Sequence, residues 1–309
     1  MKFNVRRDAG PPRCIFRCST CMRNTMLAIL LSTVSMSLAA ESGPQPNAVL
    51  EVGVAPFLPA RTLVQNYQPM RAYLEQHLKQ PVMFVTAHDY KTFYERTRRR
   101  EYPIIITIAS AAYLASVEAG YVPMLRPVVY TCPVLVVSRN SNLVRVQDLR
   151  GKTVALPDSL AIISMQGVQI LRESGFDLDK DVNIRRLSNH SAAVNLVISG
   201  EAAAAIVSDR ALLQMPAVTQ QSVRIVQKWK KAAQPGVVYF ANPSLSLQQV
   251  AQLTATILEF TRDTPEGREF INKLGYGGLV PATKQDIDPL ASYGEMFKEA
   301  IIRSSEESK

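Results

Sequence analysis

Short apolar runs that alternate with segments of helical periodicity are the strongest constraint on how this chain folds. Val49-Leu-Glu-Val-Gly-Val54 reads as a strand, closed by a loop that holds Pro56 and Pro59. Met70, Leu74 and Leu78 recur every four residues, so the next segment has one apolar helical face, and Pro69 suits its first turn. Strands over 81–86 and 104–108 then alternate with helices over 90–99 and 111–119, the last closed by Gly120. The order βαβαβ implies parallel strands covered by helices.

The second half repeats the pattern. A strand over 153–156 precedes a helix over 164–174, which Gly175 stops. A strand over 182–187 precedes a helix over 191–199, which ends at Gly200, and short strands follow at 203–207 and 223–226. The run at 237–240 returns toward the first half. Beyond it Val250, Leu253, Ile257 and Phe260 line one helical face, and a further helix starts near Pro265. The fold class is α/β, with two lobes, each a mostly parallel sheet flanked by helices. Lobe 1 is discontinuous, 40–137 and 235–309, and lobe 2 is 138–234. No linker separates them, so a cleft between lobes, at strand carboxyl ends, is the expected ligand site.

Composition narrows the class further. Of 309 residues, 47% are hydrophobic and 20% charged, which excludes a disordered, collagen-like or coiled-coil chain. The net charge of +9 is concentrated at the N-terminus, where residues 1–39 carry +5. That basic stretch is followed by Met26-Leu-Ala-Ile-Leu-Leu-Ser-Thr-Val-Ser-Met-Ser-Leu-Ala-Ala40, shorter than the roughly 20 residues that span a bilayer. Ser37 and Ala39 supply the small residues of a cleavage site. Residues 1–39 therefore read as a signal peptide, with an uncleaved anchor as the alternative, and the mature chain is expected to be exported.

Three of the four cysteines, Cys14, Cys18 and Cys21, fall in this leader. Their spacing matches an iron–sulfur motif, but a basic leader before an apolar run is the wrong context. Cys132 alone remains in the mature chain and reads as a buried strand thiol. His77, His88 and His190 lack ligand spacing, so no metal or cofactor is expected. Gly151-Lys-Thr153 lacks the earlier glycine of a phosphate loop, because Val146 stands there, and it precedes a strand. The cluster Arg96 to Arg100 ends a helix, where cations meet the negative dipole end, so no nucleic-acid partner is expected. There is no nucleophile elbow or identifiable acid–base pair, and the chain is read as a non-enzyme. His190, in Ser188-Asn-His-Ser191 at a helix start, either adds a donor to an anion site or has a capping or packing role.

The order of several pieces resembles the periplasmic substrate-binding proteins of ABC transporters for phosphonate, phosphate and phosphite. They are Gly53-Val-Ala-Pro56, Tyr67-Gln-Pro-Met-Arg-Ala-Tyr-Leu74, Ala87-His-Asp-Tyr90 and Ala109-Ser-Ala-Ala-Tyr-Leu114. Asp148-Leu-Arg-Gly-Lys152, Pro157-Asp-Ser159, Asn189-His190, Ala192-Ala-Val194, Ile198-Ser-Gly-Glu201 and Pro235-Gly236 follow in the same order. The resemblance implies a type II periplasmic binding fold whose lobes close around a small anion. It implies Ser159 and His190 as donors, with Tyr67, Thr107 and Ser110 facing them, and Asp209 as the acid of the second lobe. Ser159-Leu160-Ala161-Ile162 stands where the family has a Ser-Thr-Ser-Gly-like run, so the ligand is expected to be less charged or more apolar than phosphate. Pro103 and Ala203 stand where family aspartates are common. The expected partners are a small-molecule ligand and the membrane subunits of an ABC importer; a membrane sensor is the alternative.

Overall fold

A computed structural model describes residues 49–306, with side chains to 303. The signal-peptide expectation for 1–39 lies outside the described residues. Along the chain the strands and helices are β1 (Leu50–Val54), α1 (Ala60–Leu78), β2 (Val82–Thr86), α2 (Tyr90–Arg98), β3 (Ile104–Ile108), α3 (Ala109–Val117), β4 (Val122–Pro127) and β5 (Pro133–Ser138). Next come β6 (Lys152–Leu156), α4 (Ile162–Glu173), β7 (Val182–Arg186), α5 (His190–Ile198), β8 (Ala204–Ser208), α6 (Asp209–Leu213), α7 (Ala217–Ser222) and β9 (Val223–Lys228). The chain then returns through β10 (Val237–Ala241), α8 (Leu247–Asp263), α9 (Pro265–Leu274), β11 (Leu279–Pro281), α10 (Lys284–Ile287) and α11 (Ala291–Glu306).

Two sheets result, β11-β4-β10-β3-β1-β2 and β7-β6-β8-β5-β9. Both are mixed rather than mostly parallel. β2, β1 and β3 run parallel, as do β7, β6 and β8, because each of these connections passes through a helix. β10, β4 and β11 join the first sheet antiparallel, and β5 and β9 join the second antiparallel. The chain passes between sheets twice, from β4 to β5 and from β9 to β10. β5 therefore lies in the second lobe, although the sequence boundary at 137 put most of it in the first. At the crossings Thr131 and Gln234 exchange both backbone hydrogen bonds, each 2.9 Å.

The cores follow the burial of the strands. All five residues of β3, β8 and β10 are buried, as continuous apolar runs covered on both faces should be. Pro69 lies inside α1 rather than at its start, and Pro59 precedes the first turn instead. A proline there leaves the Gln65 carbonyl without its helical donor. The helix is held regardless by its buried face of Leu63, Tyr67, Met70 and Leu74, which packs on β2, α8 and α9.

Candidate functional site

In both lobes the carboxyl ends of the parallel strands feed helix N-termini toward the same cleft. β3 passes into α3 and β8 into α6 with no intervening residue, and short loops join β2 to α2, β6 to α4 and β7 to α5. Helix starts gather partial positive charge and unsatisfied N–H groups. Asp89 caps α2 through the Thr92 amide at 2.7 Å, and Asn189 caps α5 through the Ala192 amide at 3.0 Å. Ser208 caps α6 through the Ala211 amide at 3.0 Å. The two-residue steps His88-Asp89 and Asn189-His190 thus set where α2 and α5 begin.

A small cavity of about 40 Å³, room for a few waters, lies where these ends meet. Its walls are mainly apolar: Phe57 and Ile108 from the first lobe, Ala161, Ile162 and Ile163 from the second. Polar groups enter from Tyr90, Thr131, His190, Ser208, Arg210 and Gln214. Three of these hold buried atoms without a protein partner: Tyr90 Oη, Arg210 Nε and Gln214 Oε1. Buried polar atoms are nearly always hydrogen-bonded, and three of the six exceptions among the described residues belong to residues that line this cavity, which makes it the candidate ligand site.

The electrostatics are specific. Burial drives the His190 imidazole down to about 3, so it is neutral at ordinary pH. Its Nδ1 accepts from the Ser208 amide at 3.3 Å, which leaves Nε2–H as the donor. Burial, reinforced by the charge of Asp158, keeps the Tyr90 phenol protonated well above its usual range. Burial and the like charge of Asp89 push the Asp158 carboxyl up, against the pull of the Leu160 amide and Arg186. Arg210 is the only cationic side chain among the described lining residues.

The residues expected from sequence are distributed unevenly. His190 lines the cavity, and its own amide donates to Phe57 O of the other lobe at 3.3 Å. Ser110 lies where the lobes meet, with Oγ bonded to Leu160 O at 2.9 Å. Tyr67 sits one layer behind, its hydroxyl 3.2 Å from that of Tyr276, which does line the cavity. Thr107 is buried in β3 opposite Val238, behind the lining residue Ile108. Asp209 works at the crossings. It accepts from the Thr131 hydroxyl at 2.9 Å, the Cys132 amide at 3.1 Å and Lys228 Nζ at 2.6 Å. Burial alone would raise its carboxyl, yet these partners hold it below the usual range.

Ser159 is not brought to the cavity. A turn, closed by the Ala161 amide on Asp158 O at 3.0 Å, turns it into a separate surface pocket beside Arg186 and Met296. Tyr90, Arg210 and Gln214 were not singled out from sequence. Tyr90 closes the quoted Ala87-His-Asp-Tyr90 piece and Arg210 adjoins Asp209, but nothing local marks Gln214.

Solved structures share this architecture. PhnD1 from Prochlorococcus marinus in complex with methylphosphonate matches with a TM-score of 0.69 at 13% identity, covering 82% of this chain and 99% of that one. A binding-protein component of an ABC phosphonate transporter from Pseudomonas aeruginosa matches at 0.69 and 14%, covering 84% and 99%. The periplasmic aliphatic sulphonate binding protein SsuA from Escherichia coli matches at 0.56 and 15%, covering 82% and 93%. At such identities the likeness shows the fold alone. The sequence model of the ABC-transporter phosphonate periplasmic substrate-binding proteins matches residues 52–287. That match runs from within β1 to the end of α10 and leaves neither lobe outside it, so the chain belongs to the family of periplasmic substrate-binding proteins of phosphonate ABC transporters.

Proposed function

We propose that this chain captures a small anionic solute, phosphonate- or phosphate-like with an apolar part, by closing its two lobes, and hands it to the membrane subunits of an ABC importer. The observation that carries this reading is the convergence of the orphaned Tyr90, Arg210 and Gln214 atoms on a cavity between the lobes. Helix N-termini from both lobes add favourable potential for an anion there. The apolar walls at Ala161, Ile162 and Ile163 favour a ligand with a hydrocarbon part over bare phosphate. Lobe closure around a ligand is a hinge motion of two rigid bodies, which the paired crossings at Thr131 and Gln234 suit.

Thermal unfolding of the chain from Ala40 onward, against phosphate, phosphite, alkylphosphonates, sulfonates and amino acids, tests the reading. A ligand at 100 times its Kd adds about 2.7 kcal/mol of stability, and solution scattering of the same sample should report compaction. Stabilisation by no anion, with scattering unchanged, would overturn it.

A further inference from the structure

Resting on the anion-site reading above, we propose that the cleft selects a small monoanion that keeps a hydrogen on a polar atom, and that Gln214 reads that hydrogen. The class is a hydrogen phosphonate or a hydroxycarboxylate, as against a sulfonate, a simple carboxylate or a dianion.

Gln214 follows α6 and is buried. Its side-chain Nε2 donates to the Leu274 carbonyl at 3.3 Å, and its own carbonyl accepts from Asn66 Nδ2 at 3.4 Å. A backbone carbonyl only accepts, so the edge facing Leu274 is the NH2 edge, and Oε1 is fixed as an acceptor on the other. That Oε1 is buried and has no protein partner, in a residue that lines the cavity. The guest must bring a donor to it. A fully deprotonated oxygen placed there would meet a lone pair.

The charge inventory agrees. Arg210 is shared with Asp209 at 3.3 Å, and Asp209 also takes Lys228 at 2.6 Å. One acid between two bases leaves a single positive charge for the guest. His190 is neutral and the phenols of Tyr90 and Tyr276 stay protonated, so among the described lining residues Arg210 alone supplies charge. A second negative charge on the ligand would go uncompensated. Leu274, whose carbonyl holds the amide, belongs to the first lobe, as does Asn66, which holds the Gln214 backbone carbonyl, so the amide is oriented only when the lobes are together. Discrimination therefore accompanies closure, and a guest without the donor leaves the lobes apart.

Isothermal titration at pH 6 compares methylphosphonate with methanesulfonate, and glycolate with acetate, for the native chain and for Gln214→Leu. We expect the donor-bearing member of at least one pair to bind about 100-fold tighter to the native chain, and the gap to shrink to about threefold in the variant. Equal binding within both pairs, or a gap that survives in Gln214→Leu, overturns the inference and leaves the anion-site reading standing. Binding of none of the four overturns that reading and the inference together. Should Gln214→Leu fail to fold, the native chain decides alone: methylphosphonate affinity must fall about tenfold per pH unit above the ligand's second ionisation. A flat profile overturns the inference.

Discussion

Ser110 Oγ donates a 2.9 Å hydrogen bond to the Leu160 carbonyl oxygen, joining the first turn of α3 in one lobe to the turn that opens α4 in the other. The bond runs from one lobe to the other, so it exists only while the lobes are together.

Ser110→Ala should therefore weaken the closed state by about 1 kcal/mol, a loss of roughly fivefold in apparent ligand affinity. Calorimetric titration with whichever anion stabilises the native chain checks this. Unchanged affinity would mean that the bond does not favour closure.

Arg210→Ala should reduce anion affinity by about 10- to 100-fold, since a charge-assisted bond and the only cation among the described lining residues disappear together. Arg210→Lys should recover part of the loss but not the directional Nε contact. Equal affinity in all three proteins would move the anion elsewhere.

His190 carries a pH signature in stability. Its folded value lies at about 3, below the usual 6.5, because burial disfavours the charged ring. As pH falls below 6.5 the unfolded chain takes up a proton that the folded chain refuses. Stability attributable to this group therefore falls by about 1.4 kcal/mol per pH unit toward pH 3. His190→Asn should show a shallower stability–pH slope between pH 4.5 and 6.5 in urea unfolding. Parallel curves for the two proteins would refute a neutral buried ring.

Gly267 stands where α9 leaves α8, and a Cβ on it would lie 1.7 Å from the Phe260 carbonyl oxygen. That atom is backbone and cannot swing aside. Gly267→Ala should cost about 1–3 kcal/mol, because α9 must move off α1, α8 and α6 together. An unaltered urea midpoint would contradict it.

What the sequence disclosed was local. Gly175 and Gly200, read as helix stops, follow α4 and α5 with φ of +83° and +80°, a conformation other residues resist. The sheet that β5 joins was not legible, since that depends on where the chain crosses between lobes. Likewise 237–240 was read as returning to the first half, while its antiparallel place between β3 and β4 is a long-range pairing. Pro69 misled because a proline suits a first turn, and only the packing of Tyr67 and Met70 shows that it is tolerated mid-helix. Among the residues that line the cavity, His190 was visible from its place between strand and helix. Gln214 was not, because an orphaned acceptor exists only after the Leu274 carbonyl has taken the NH2 edge of its amide.

The reciprocal bonds between Thr131 and Gln234 tie the two crossings into a single rung. Two independent tethers would let one lobe slide or twist over the other in several ways. A shared rung favours one axis, so a rotation of one lobe against the other would turn about it like the covers of a book about its spine. Any such rotation displaces the outer rims most and the residues beside the rung least. If the lobes close on a guest as proposed, the filling of a cavity near the spine would be legible on the outside of the molecule.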